Sequence, residues 1–299
     1  MGKRLAVPEP ESGLAFVDTH CHVPWDDATF ETKLPSPDDQ LATFHAAGGL
    51  FIITATIDLE TSRRALEFRR EHEHVHAALG MAPQTITFTP PDEYETKLEA
   101  WYSLVDANLD NILTIGEIGV DFHHGKKLDQ RERQINEFRG ILRHVADLNR
   151  PIMLHVRNAG QNDQDFSNPS HVYNNPDRAT RTVVDVLGEV GISPHRVLFH
   201  CYSGPSSMND ELARAGFWFS VPSSAWGIEK WNRVSKTLPL DHLVTETDAP
   251  FQHPWLMEPA NEPANARYAV AAIAHARGLT QDEVARATIE NAKRFFNLP

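Results

Sequence analysis

The sequence predicts an α/β fold, a (β/α)8 barrel (TIM barrel) that forms a single domain over residues 1–299. Short apolar runs alternate about eight times with amphipathic helical runs along the chain. This alternation predicts parallel strands with right-handed crossovers, and a closed barrel of this kind needs about 250 residues. An open doubly wound sheet is the alternative, but no Gly-x-Gly-x-x-Gly motif follows the first strand.

The predicted elements follow one another in order. The strands cover 14–22, 50–57, 75–83, 112–121, 151–157, 196–204, 217–224 and 242–250. Helical periodicity covers 60–72, 92–109, 127–149, 178–190, 206–215, 226–236 and 262–277. Ser36 before Pro37 predicts the N-cap of an additional helix after the first strand. Thr280 and Glu283 predict a capping box for the last helix.

Composition restricts the classes of function. Lys and Arg total 28 against 41 Asp and Glu, a net charge of −13, which argues against a basic face that grips nucleic acid. Nucleic-acid chemistry would therefore depend on metal ions or a few local cations.

The sequence also predicts the cellular setting. No apolar run reaches the ~20 residues of a membrane helix, and the first residues lack an apolar signal segment. Two cysteines indicate a reducing, cytoplasmic setting. We expect no membrane partner, and no obligate protein partner is readable from the sequence.

One segment interrupts the alternation. Residues 158–177 are rich in Asn, Asp, Ser and Pro and predict an inserted loop. Loops of this length in a compact domain are uncommon and often functional, although a tolerated surface insertion is an equal alternative.

Ionisable side chains follow several predicted strands, at the end of a barrel where active sites form. His20 and His22 lie two residues apart, so both point to one face of the first strand. The candidate metal ligands are His20, His22, Glu117, His155, His200 and Asp248. Imidazole and carboxylate ligands suit several divalent ions, and six exceed the needs of one tetrahedral ion. We therefore expect two ions bridged by a carboxylate, an arrangement that hydrolyses phosphoesters, carboxylic esters or amides.

Five motifs carry a resemblance to a known family. They are His20-Cys21-His22, the GEIGVD stretch at 116–121, HVR at 155–157, HCYSG at 200–204 and ETDAPF at 246–251. In this order and spacing the chain resembles the TatD family of metal-dependent hydrolases, within the amidohydrolase superfamily, from about Phe16 to Phe296. The resemblance implies a TIM barrel with a two-metal site.

The resemblance also implies a role for each site residue. His20, His22 and Asp248 would hold one ion, His155 and His200 the other, and Glu117 would bridge them. Asp248 would also accept the proton of the attacking water, and Arg157 and Ser203 would face the substrate. A salt bridge from Arg157 to Glu117 or Asp248 is an equal alternative.

The chain departs from the family pattern at substrate-facing positions. The family often has Gly-x-His-Pro after the third strand, whereas Ala82 stands here in place of the histidine. His123 and His124 are candidate substrate contacts that would replace it; a surface role is the alternative. These changes predict an altered substrate preference with an intact ligand set.

The resemblance implies a deoxyribonuclease that cleaves phosphodiester bonds from DNA or nucleotide ends, 3′ to 5′, with two divalent ions, Mg²⁺, Mn²⁺ or Zn²⁺. The alternative is a metal-dependent ester or amide hydrolase, such as a D-aminoacyl-tRNA deacylase or a small-molecule amidohydrolase. A non-catalytic binding protein is the third hypothesis.

Two further groups of residues have two interpretations each. The tryptophans would either stack on a base or pack in the core; they are Trp218, Trp226 and Trp231. The histidines at 72, 74 and 76 would bind a metal or lie at a solvated helix end.

Overall fold

The computed structural model describes residues 8–25, 34–159, 178–255 and 260–299. Its strands are β1 (Phe16–Cys21), β2 (Gly49–Ala55), β3 (Val75–Leu79), β4 (Ile112–Asp121), β5 (Ile152–Arg157), β6 (Val197–Phe199), β7 (Trp218–Pro222) and β8 (Leu243–Glu246). Its α-helices are α1 (Pro37–Ala46), α2 (Leu59–Glu71), α3 (Pro83–Phe88), α4 (Pro91–Ala107), α5 (Leu128–Val145), α6 (Arg178–Val190), α7 (Asn209–Ala215), α8 (Glu229–Thr237), α9 (Ala266–Arg277) and α10 (Gln281–Phe296). Residues 160–177 of the predicted insertion lie outside the described part of the chain.

The eight strands form one sheet in the order of the sequence, β1 to β8. The pairs β1–β2, β3–β4, β4–β5, β5–β6 and β7–β8 are parallel. A parallel bridge between Cys21 and Ala249 joins the end of β1 to the segment after β8. Because a helix follows almost every strand, the predicted (β/α)8 barrel is confirmed.

Contacts divide the chain into two compact units. The first comprises Met1–Ala55, Glu67–His76 and Trp218–Pro299, and its core includes the edge-to-face rings of Phe16 and Phe44, 5.2 Å apart. The second comprises Thr56–Leu66 and Ala77–Phe217, and the fully buried Trp101 and Phe138 belong to its core. Each unit contains three of the six predicted metal ligands.

Several strands end earlier than the sequence predicts, and β3, β6 and β8 do so by four or five residues. Strand β6 stops at Phe199 and β8 at Glu246, because Cys201 and Asp248 have positive φ angles of 44° and 60°. A left-handed residue cannot continue an extended strand. Strand β3 likewise stops at Leu79, and Pro83, with its fixed φ, begins the short helix α3.

The predicted helix caps are present. The Ser36 hydroxyl accepts a hydrogen bond from the Asp39 backbone N–H at 3.1 Å, at the start of α1. Thr280 and Glu283 form the capping box of α10. In the described ranges, every helix is too short or too polar to cross a bilayer.

Candidate metal centre

The first group of predicted ligands lies in the first unit. Strand β1 carries His20, His22 follows it by one residue, and Asp248 lies in the turn after β8. The Nε2 atoms of the two histidines are 3.2 Å apart, and they lie 3.4 and 3.3 Å from Asp248 Oδ1. Two imidazole nitrogens and one carboxylate oxygen thus lie within 4.8 Å of one another. This donor set suits a divalent metal ion.

Backbone hydrogen bonds hold this group in place. The Asp248 N–H donates to the His20 carbonyl at 2.8 Å, and the His22 N–H donates to the Ala249 carbonyl at 2.6 Å. The Nδ1 atom of His22 lies 3.0 Å from the Ala55 carbonyl oxygen. A hydrogen bond to that carbonyl places the proton on Nδ1 and leaves Nε2 of His22 available as a ligand.

The second group lies in the second unit. Glu117 is in β4, His155 is in β5, and His200 follows β6 directly. Glu117 Oε2 lies 3.2 Å from His200 Nε2 and 3.5 Å from His155 Nδ1. The two imidazole nitrogens are 3.3 Å apart. This unit therefore also brings two imidazoles and a carboxylate together.

Charge and burial act in opposite directions in the second group. Burial raises the pKa of Glu117, but the charges and hydrogen bonds of His155 and His200 outweigh it and hold that pKa well below its usual range. Burial lowers the pKa of His155, but Glu117 and Asp121 outweigh it and raise that pKa to about 9. Glu117 is therefore ionised, and its oxygens are acceptors that a cation can bind.

Two glycines permit the close approach of the backbone beside these ligands. A Cβ atom at Gly80 would lie 2.2 Å from the backbone nitrogen of Glu117, and one at Gly119 would lie 2.1 Å from the His155 carbonyl oxygen. Glu117 also donates its N–H to the Thr56 carbonyl at 3.1 Å. A larger residue at either glycine would displace a ligand-bearing strand.

A carboxylate that the sequence analysis did not assign to the site adjoins His155. Asp121 Oδ2 lies 3.0 Å from His155 Nε2, 2.7 Å from His124 Nδ1 and 3.0 Å from the Gln84 amide nitrogen. Asp121 lies four residues after Glu117 in β4, a spacing that places both on one face of a strand. That spacing was an available signal for Asp121; nothing in the sequence pointed to Gln84.

The predicted substrate-facing residues lie in the second unit. Arg157, at the end of β5, is exposed. Ser203 is half-buried in the loop after β6. His123 and His124 are half-buried after β4, and both donate backbone N–H groups to Asp121 Oδ1, at 3.0 and 2.9 Å. His124 thus contacts the carboxylate that contacts His155.

The three candidate base-stacking tryptophans, Trp218, Trp226 and Trp231, are all buried, between 4% and 8% exposed. Core packing is therefore the alternative that the structure favours for them. Aromatic side chains that the sequence analysis passed over lie at the first group instead. The rings of Trp25 and Phe251 lie 5.3 and 5.8 Å from the His22 ring.

Comparisons with known proteins agree with this arrangement of residues. A metal-dependent hydrolase of Bacillus subtilis, YabD, is 28% identical over 94% of this chain and 98% of its own length. The human deoxyribonuclease TATDN3 is 27% identical over 95% of this chain and 96% of its own length. The crystal structure of YJJV, a TatD homologue from Escherichia coli, matches with a TM-score of 0.76 at 24% identity, over 95% of this chain and 98% of that one. The model of the TatD-related DNases matches residues 17–297, so the chain belongs to this family of metal-dependent hydrolases.

Proposed function

We propose that this protein is a two-metal phosphodiesterase that removes nucleotides from the 3′ end of DNA. The observation that carries the proposal is that each unit holds two imidazoles and a carboxylate in mutual contact, in a chain of the TatD family. Four histidines gathered around carboxylates would be costly to bury unless a shared ligand used their lone pairs.

The donor chemistry fits divalent cations. His20, His22 and Asp248 would hold one ion, and His155, His200 and Glu117 the other. The bridging role of Glu117 stays a prediction from the family resemblance. Mg²⁺, Mn²⁺ and Zn²⁺ all suit mixed nitrogen and oxygen ligands. When bound, such ions supply Lewis-acid chemistry and lower the pKa of water.

The chain's own residues supply the remaining functions. Asp248 has a carboxylate that is 13% exposed and able to accept a proton from the attacking water. The exposed guanidinium of Arg157 suits a phosphate oxygen, because its planar fork donates two hydrogen bonds. Ser203, His123 and His124 are proposed substrate contacts. The low number of cysteines, Cys21 and Cys201 alone, supports the proposed cytoplasmic location.

The test is cleavage of single-stranded DNA by the purified protein in Mg²⁺ or Mn²⁺. Oligonucleotides labelled at the 5′ end should shorten by single nucleotides, and a phosphorothioate linkage at the 3′ end should block the reaction. The variant Asp248→Asn controls for contaminating nucleases. Failure on single-stranded DNA, oligonucleotides and generic phosphodiesters alike would refute the proposal.

A metal-dependent ester or amide hydrolase is the second candidate. The observation that favours it is Ala82, a buried residue where the family often has a substrate-facing histidine. A panel of D-aminoacyl-tRNA, simple acyl esters and amides separates the two candidates. Cleavage of acyl substrates without cleavage of phosphodiesters would favour the second.

A further inference from the structure

His155 presents its two ring nitrogens to different partners. Nδ1 faces Glu117 Oε2 at 3.5 Å and His200 Nε2 at 3.3 Å, which are the other members of its ligand group. Nε2 faces Asp121 Oδ2 at 3.0 Å. In metal sites, a hydrogen bond from one ring nitrogen to a carboxylate fixes the orientation of the imidazole and leaves the other nitrogen for the ion.

Asp121 is itself held rigidly. The residue is fully buried, and its Oδ1 atom accepts hydrogen bonds from the backbone N–H groups of His123 and His124. Its own backbone N–H donates to Gln134 Oε1 at 2.8 Å. Because these contacts fix Oδ1 and the backbone of the residue, Asp121 Oδ2 has a defined position toward the His155 ring.

Gln84 completes the arrangement from the first turn of α3. Its amide nitrogen donates to Asp121 Oδ2 at 3.0 Å and lies 3.2 Å from His155 Nε2. Its amide oxygen is buried and accepts no hydrogen bond from the described residues. A buried acceptor without a partner costs about 1–3 kcal/mol. A side chain that leaves its oxygen unpaired while its N–H group holds Asp121, the carboxylate that accepts from His155 Nε2, is better explained by function than by folding.

We propose that Gln84 and Asp121 are positioning residues that hold the His155 ring with Nδ1 directed at the metal ion. The inference rests on the proposed metal centre and extends it to two residues that are not ligands. Without them the imidazole can rotate about its Cβ–Cγ bond, and the ion loses a pre-oriented ligand. Removal of such partners typically weakens metal binding about 10- to 100-fold.

The test uses Mn²⁺ alone, titrated into the metal-free full-length protein and followed by electron paramagnetic resonance. Gln84→Met should weaken binding of one Mn²⁺ by about 10-fold, and Asp121→Asn by about 10- to 100-fold. The melting temperature of metal-free Gln84→Met should stay close to that of the wild type, because the variant removes the unsatisfied oxygen together with the hydrogen bond to Asp121, and these two effects oppose each other. Gln130→Met, which removes a half-buried amide that accepts from the Lys127 N–H at the start of α5, is the matched control and should bind Mn²⁺ as the wild type does.

A second readout tests whether Gln84 acts through His155. In a His155→Ala background, Gln84→Met should cause no further loss of Mn²⁺ affinity, since the ring to be oriented is absent. Unchanged Mn²⁺ affinity in Gln84→Met would overturn the inference while leaving the metal centre intact. A lower melting temperature of the metal-free variant would also overturn it, because that result indicates a structural role. Absence of Mn²⁺ binding by the wild type would instead refute the proposed function and, with it, this inference.

Discussion

Asp248 combines a predicted chemical role with an unusual backbone conformation. Its φ angle is 60°, and the turn is closed by a hydrogen bond from the Phe251 N–H to its carbonyl at 2.7 Å. Few side chains tolerate a left-handed conformation, but Asp and Asn do. The conformation directs the carboxylate toward His20 and His22. Asn at this position therefore preserves the turn and removes the charge.

We expect Asp248→Asn to lower kcat for DNA cleavage by at least about 100-fold, because it removes the proton acceptor and an anionic ligand. The measurement is steady-state hydrolysis of a labelled oligonucleotide at saturating Mn²⁺. Asp241→Asn, at an exposed carboxylate, is the control and should keep wild-type activity. Equal activities of the two variants would contradict the role given to Asp248.

Gly80 shows how a small residue sets the position of Glu117, a proposed metal ligand. A methyl group there would meet the backbone of Glu117, so Gly80→Ala should destabilise the protein by about 1–3 kcal/mol and weaken Mn²⁺ binding. Gly188→Ala in α6, where nothing lies within 4 Å, should instead stabilise it by up to about 1 kcal/mol. Urea unfolding of the metal-free variants measures both effects. A neutral Gly80→Ala would contradict the close approach.

At the scale of elements, the alternation of apolar and amphipathic runs was sufficient to predict the eight strands and most helices. Strands β6 and β8 were predicted too long, since the apolar pattern continues through residues whose backbone turns, such as Cys201 and Asp248. Helix α3 was missed because six residues carry too little periodicity to reveal a helix. The ends of β6 and β8 and the presence of α3 depend on the local backbone conformation, which the pattern of apolar residues does not encode.

The histidines near β3, for which the sequence left a metal site and a solvated helix end open, lie apart from one another in their contacts. His72 pairs with Asp38 at 3.2 Å, and the His76 ring packs edge to face on Phe51 at 5.5 Å. Each of these two histidines therefore has a separate partner, as expected for the end of a helix that leads into a strand. Burial, with the nearby charges of Arg69 and His74, lowers the pKa of His76 to about 4.

This pKa predicts a pH dependence of stability. Between pH 6.5 and about 4, the unfolded chain binds a proton at His76 that the folded protein does not, so stability falls as the pH falls through this window. The difference corresponds to at most about 3 kcal/mol, and partial exposure reduces the expected contribution to about 1–2 kcal/mol. His76→Gln should flatten the dependence in urea unfolding between pH 7 and pH 4.5, whereas His74→Gln should retain most of it. Identical slopes in all three proteins would contradict the prediction.

At the scale of the whole molecule, the sequence was sufficient to predict which side chains come into contact within each unit, and the role of these side chains as metal ligands stays a prediction. Within each unit, three of the six predicted ligands are in contact, because residues at the ends of neighbouring strands lie close together. The contacts of Asp121 and Gln84 depend on side-chain rotamers and on helix α3. Such details follow from packing, and a single sequence does not specify them.

Bound ions should stabilise the molecule. At a free Mn²⁺ concentration of about 100 times Kd, each site should contribute about 2.7 kcal/mol, which raises the melting temperature by several degrees. Thermal unfolding with EDTA and with Mn²⁺ measures the effect. In the double variant His20→Ala/His22→Ala the increment should be roughly half that of the wild type; an undiminished increment would contradict binding at this group.

The most direct test of the central claim is the metal content of the dialysed protein, measured by mass spectrometry of Mn²⁺-loaded samples. We expect two ions per wild-type chain, one in His20→Ala/His22→Ala and one in His155→Ala/His200→Ala. Phosphodiester cleavage should be lost in both double variants. A wild-type chain without bound Mn²⁺, or double variants that each retain two ions, would contradict it.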